Sequence, residues 1–164
     1  MGQINTREVC LFTGTATTNG TGPDINMIQG WQAAIVTVTT NTVSGTSPTL
    51  NVIVQNKLGQ TLIGTDTSGG FLTGTAVYDD LLAFGQLTTS SSVRVLRMCT
   101  GDLQPSPNSP IVNTADYALL NGTLTAGSYR PGPIGGTWAV KFVIGGTSPS
   151  FAFSVQAQLI PFST

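Results

Sequence analysis

Asp79 and Asp80 are the only adjacent carboxylates in the chain, and they are the first residues to weigh as an acid–base pair. On a strand, neighbours point to opposite faces, so the two cannot flank one glycosidic bond as an acid and a base or nucleophile must. A solvated turn is the reading that follows. The chain contains no histidine, which removes the Ser-His-Asp and Cys-His nucleophile systems together with every histidine metal ligand. Cys10 and Cys99 have no nearby thiol partner in sequence and read as small buried hydrophobes, open to pairing only if their strands are neighbours.

The remaining short motifs carry no chemistry of their own. Gly69-Gly70-Phe71-Leu72-Thr73-Gly74 lacks the Gly-Lys-Ser/Thr ending of a phosphate loop. Asp66, Thr67 and Ser68 offer oxygens to calcium without the spacing of a calcium loop. Asn19-Gly20-Thr21 and Asn121-Gly122-Thr123 fit a glycosylation pattern that matters only on a secretory route, and Met1-Gly2-Gln3-Ile4-Asn5-Thr6 fits a myristoylation pattern that matters only in a eukaryotic host. No enzyme activity, metal or cofactor is expected.

Residues suited to contacts are a different set. Trp31 and Trp138 are the two indoles, and Trp138 falls in phase with Val140 and Phe142, which places it in a core and leaves Trp31 as the candidate for a surface. Arg94 and Arg97 are an odd number apart, so a regular strand sends them to opposite faces. With Arg7 and Arg130 they form the candidate interface: Arg7, Trp31, Arg94, Arg97 and Arg130. Arginine in an otherwise neutral surface is a reasonable anchor for an interface.

The elements that must position these residues announce themselves by an internal echo. Gly45-Thr46-Ser47-Pro48-Thr49-Leu50-Asn51-Val52 returns 101 positions later as Gly146-Thr147-Ser148-Pro149-Ser150-Phe151-Ala152-Phe153. Leu50, Val52 and Val54 have the same apolar parity as Phe151, Phe153 and Val155, the period of a strand with one buried face. Ala34, Val36 and Val38 alternate before the first copy, and Trp138, Val140, Phe142 and Ile144 before the second. Each copy is therefore expected to be the turn of a β-hairpin, over 41–48 and 145–150.

The other predicted strands are short: Val9–Thr17, Thr61–Thr65, Phe71–Tyr78, Val93–Thr100 (buried on both faces) and Tyr117–Leu124. Residues 1–8 read as an extended arm. Residues 101–116, with Pro105, Pro107 and Pro110, and residues 127–136 read as loop excursions. Eight to ten short strands with frequent turns predict one domain over 1–164, an all-β, antiparallel β-sandwich of jelly-roll type with short or no helices.

Only 8% of the 164 residues are charged, with a net charge of −1, against roughly 25% in an ordinary soluble domain. Such a surface suits a subunit of an assembly. It does not suit nucleic acid, which needs clustered Lys and Arg. No window has the run of apolar residues that a membrane span needs, and Met1 to Thr13 has no secretory apolar core, so no membrane association is expected.

Val43-Ser44-Gly45-Thr46-Ser47-Pro48-Thr49-Leu50-Asn51-Val52 and Val143-Ile144-Gly145-Gly146-Thr147-Ser148-Pro149-Ser150-Phe151-Ala152-Phe153-Ser154-Val155 resemble small virion proteins of tailed bacteriophages, most of all jelly-roll capsid decoration, or cement, proteins. The similarity covers residues 33–65 and 138–160. It implies a non-enzymatic homotrimer on the outer surface of the capsid, assembled in the host cytoplasm, that bridges major capsid protein subunits. Residues 101–116 and 127–136 have no counterpart in that pattern. The alternative is a glycan-binding or tail-associated adhesion module of a virion, which would require an exposed Trp31.

Overall fold

The computed structural model describes residues 6–27, 31–61, 75–99, 122–130 and 136–161. They form an all-β, antiparallel structure with strands β1 (Arg7–Ala16), β2 (Gly20–Thr21), β3 (Ile25–Asn26), β4 (Trp31–Thr61), β5 (Thr75–Ala83), β6 (Val93–Cys99), β7 (Ser128–Tyr129) and β8 (Thr137–Pro161). Among the described residues there is no helix, and so none long and apolar enough to cross a membrane. The segments 62–74, 100–121 and 131–135 lie outside this description, and with them the strand predicted at 61–65, most of that at 117–124 and the 101–116 excursion.

The predicted hairpins do not form. β4 runs through the first Gly-Thr-Ser-Pro segment and β8 through the second without reversing, and the two strands pair with each other from Trp31↔Pro161 to Asn56↔Trp138. Alternation on either side of a Gly/Pro cluster is the signature of a hairpin, but it is equally the signature of one long strand bent in the middle. The register decides for the bend: Val38 faces Val155 and Val52 faces Phe142.

The echo has a structural reason. Thr46 and Thr147, equivalent residues of the two copies, pair directly with each other. The register pairs Val43↔Phe151 and Leu50↔Ile144, and Ser44↔Ser150 and Thr49↔Gly145, are exchanged by the same local twofold operation. The backbones match as well. Gly45 and Gly146 have φ of 113° and 108°, and Ser47 and Ser148 have φ of 49° and 48°.

At this crossing the two strands touch backbone to backbone. A Cβ on Gly45 would stand 2.8 Å from the Ser148 carbonyl oxygen, and one on Gly146 would stand 2.7 Å from that of Ser47. Both positive φ and close approach demand glycine there. Ser47 and Ser148 take the left-handed region at some strain, and each sits just before the proline of its segment.

Folding at this corner turns one sheet into two facing layers. In the first, β6 and the early half of β4 lie beside the late half of β8 and β1. In the second, β2 and β3 flank the early half of β8, which pairs with the late half of β4, followed by β5 and β7. The apolar parity noted in the sequence fills the space between. Val36, Val38, Phe151, Phe153 and Val155 of the first layer and Leu50, Val52, Val54, Trp138 and Val140 of the second form one buried cluster.

Three phenylalanines join the layers. Phe12 stacks on Phe153 at 4.7 Å and tilts onto Phe142 at 5.1 Å, while Phe142 and Phe153 meet edge to face at 5.5 Å. Such contacts contribute about 0.5–1.5 kcal/mol each beyond area burial. Gly20 makes room for the triad, since a Cβ there would lie 2.7 Å from the Phe142 ring.

The all-β antiparallel sandwich is as expected, with Trp138 inaccessible in its core. Jelly-roll winding is a finer statement that the strand order β1-β8-β4-β5-β7 does not by itself carry. Arg7 and Glu8, expected in an extended arm, are paired residues of β1. Val93 and Val95, expected to be buried, are 51% and 49% exposed because β6 is covered on one face only. Cys10 is an exposed free thiol, for it lies on the outward parity of an edge strand.

Candidate interface and the buried carboxylate

Asp80 is the residue whose environment departs furthest from expectation. It lies on β5 with no solvent exposure, where a solvated turn was predicted. Its carboxylate accepts from Gln55 Nε2 at 2.7 Å, from the Gly122 amide at 2.8 Å, from Thr123 at 2.9 Å and from Leu124 at 3.0 Å. Gly122 has φ of 83°, and three consecutive amides converge on one anion. A nest of this kind is how a backbone satisfies a buried charge.

Asp79, on the opposite face of the same strand, is ion-paired to Arg130. Arg130 is 7% exposed, so its charge belongs to the fold and not to the surface. Its own amide donates to Leu81 O at 2.8 Å, and the Gly127 amide donates to Ala83 O at 2.7 Å. Residues 122–130 are thereby stapled to β5: Ser128 and Tyr129 extend the sheet as β7, and Leu124 packs on the outer face of the second layer, where it is buried with Ile53 and Ala83. The part of the predicted 127–136 excursion that is described is thus a packed edge.

These contacts make the two aspartates structural. The carboxylates face apart, as strand parity requires: that of Asp80 accepts from Gln55 and three backbone amides, and that of Asp79 is paired with Arg130. A shallow open groove beside them is lined by Ile53, Ala83, Leu124, Ala126 and Val143 with Asn51 as a polar rim, and no carboxylate reaches it. Among the described residues no group of three or more His, Cys, Asp and Glu comes together.

A second polar cluster crosses the outer face of the same layer. Lys57 Nζ donates to Asp24 at 2.6 Å and Tyr78 Oη donates to it at 2.9 Å. The hydrogen bond from Lys57 holds the Asp24 carboxyl below its ordinary value, against a smaller opposing effect of burial. The same bond raises Lys57, and burial first and the Asp24 bond second raise Tyr78.

The other candidate interface residues fall together on the first layer. Arg7 begins β1 and is exposed. Arg94 and Arg97 are exposed on β6, Arg94 in the row that pairs with Val38 and Arg97 in the row that pairs with Ile35, which are opposite faces as parity predicted. Trp31 begins β4, half-buried against the core. Glu8, which was not singled out in the sequence, is exposed on β1. Its position relative to Arg97 emerges only from the register of four strands, a property invisible to local spacing.

Comparison of the chain with protein-family models, with curated proteins and with solved structures gave no match.

Proposed function

We propose that this chain is a non-enzymatic virion structural protein that decorates and stabilises a phage capsid, bridging major capsid protein subunits as a trimer. The observation that carries the reading is the asymmetry of the sandwich. One layer is covered in part by residues 122–130, while the other leaves an uncharged central outer face of Thr37, Thr39, Ser154 and Gln156 between two long strand edges. The resemblance of the two Gly-Thr-Ser-Pro segments to cement proteins is what points the reading to a capsid.

The mechanism is physical. β4 and β8 cross from layer to layer without interruption, so a load applied to one layer passes through paired backbone into the other. A weak contact per protomer suffices, because linking protomers raises the effective concentration of each later contact. A glycan-binding reading asks for an exposed indole. Trp138 is inaccessible and Trp31 is packed against the core, which gives that alternative little support.

Purified protein mixed with capsids lacking it should co-sediment with them, and the decorated shells should survive heating that opens bare ones. Protein left in the supernatant at saturating concentration would overturn the reading.

A further inference from the structure

Among the described residues the first layer ends in two edge strands with no further strand beyond either. β1 spans ten residues and β6 seven, and among the described residues each pairs on one side only. Natural sheets avoid this by shortening, bulging or covering their edges. The second layer follows that rule, with its edges reduced to the two-residue strands β2, β3 and β7. The first layer keeps longer edge strands: β6 shows no break in its register, and β1 is regular from Arg7 to Cys10 and bulges only between Cys10 and Phe12.

The register matches the two edges to each other. Glu8 pairs with Gln158, Gln158 with Ile35 and Ile35 with Arg97, so Glu8 and Arg97 stand on one rung and one face at opposite edges of the layer. The next outward-facing rung runs Cys10, Gln156, Thr37, Val95. Between them, facing inward, lies Val9, Ala157, Val36, Leu96, with Val9 and Leu96 each half-buried at its edge. Neither Glu8 nor Arg97 has an ion-pair partner among the described residues.

We infer that copies of this chain associate head to tail, the β6 edge of one adding to the β1 edge of the next, with Arg97 against the neighbour's Glu8, Leu96 against its Val9 and Val95 against its Cys10. The layer has four antiparallel strands, so β6 runs opposite to β1 and the added pair is antiparallel. An even number of strands also keeps the hydrogen-bonding phase. Glu8 and Arg97 direct their backbone groups either both toward their own layer or both away from it, which is the condition for a regular ladder between them. β6 carries two arginines and no carboxylate, so pairing it with a second β6 would bring no opposite charge to Arg97. Each protomer uses both edges once, so a heterologous contact of this kind closes into a ring when its rotation permits. The inference stands on the edge geometry and does not depend on the capsid reading.

The test uses purified protein alone. Val95→Cys, oxidised gently, should give covalent oligomers on a non-reducing gel through the neighbour's Cys10, and Val95→Cys with Cys10→Ser should give none. Cross-links that persist without Cys10, or none from Val95→Cys, would overturn the inference. In sedimentation, Arg97→Glu or Glu8→Arg alone should weaken self-association roughly tenfold or more, and the double reversal should restore it. A wild-type chain that sediments as a monomer at micromolar concentration, or a double variant no better than either single one, would equally overturn it.

Discussion

The two layers of the sandwich share a corner and a core and differ at their outer faces and edges. About the local twofold axis between Thr46 and Thr147, β1 corresponds to β5 and β6 to the β2 and β3 pieces. β5 is buried under residues 122–130, carries an anion held by three amides, and is closed off by β7. β1 has an exposed outer row and no strand beyond it among the described residues. Identical corner geometry therefore supports one layer built for stability and one left available for contact. The asymmetry lies outside the echo, in the segments that differ.

The largest effect should come from the covered layer. Asp80→Ala leaves the amides of Gly122, Thr123 and Leu124 and the Gln55 amide group without their acceptor, and should cost about 3–5 kcal/mol in urea unfolding. A loss comparable to that of an exposed substitution would remove the second layer's special role. Next come the corner glycines. Gly45→Ala and Gly146→Ala should each destabilise by about 1–3 kcal/mol from backbone strain, and by similar amounts, because the dyad makes their surroundings alike; a large difference between them would break the symmetry on which the comparison rests.

Smaller still are the edge residues. Glu8→Arg and Arg97→Glu should change the unfolding free energy of the protomer by no more than about 0.5 kcal/mol while weakening association roughly tenfold or more, which separates contact from stability.

The smallest effect is confined to acid. Asp24 has its carboxyl held below the ordinary value of 3.8 by Lys57, so its contribution is present above the unfolded-state value and is lost as pH falls through the lower folded-state value. The urea midpoint of the wild type should fall across that window more steeply than that of Asp24→Asn, and parallel curves would assign the cluster no role. Lys57 and Tyr78 are raised, so what they contribute persists below their ordinary values of 10.5 and 10.0 and fades only in stronger alkali.

The core was legible in the sequence because burial follows parity: Val36, Val52, Trp138, Phe153 and Val155 were all assigned from alternation alone, and all are inaccessible. The turns were not. A Gly-Thr-Ser-Pro segment has the residues of a reversal, and only the pairing of Thr46 with Thr147 distinguishes a bend in each of two paired strands from two separate hairpins. Arg130 and Asp80 misled for a related reason. A charged residue reads as exposed until its partner is known, and the partners, Asp79 across 51 positions and the 122–124 amides across more than 40, are set by tertiary structure. Arg94 and Arg97 were placed on opposite faces by local parity, while the rung that joins Arg97 to Glu8 required three strand registers at once.

Amide hydrogen exchange at low and high protein concentration tests the division between the layers most directly. Association through the open edges predicts added protection at high concentration confined to β1 and β6, with residues 122–130 and β5 unchanged. Protection gained at 122–130 instead, or none at either edge, would contradict it.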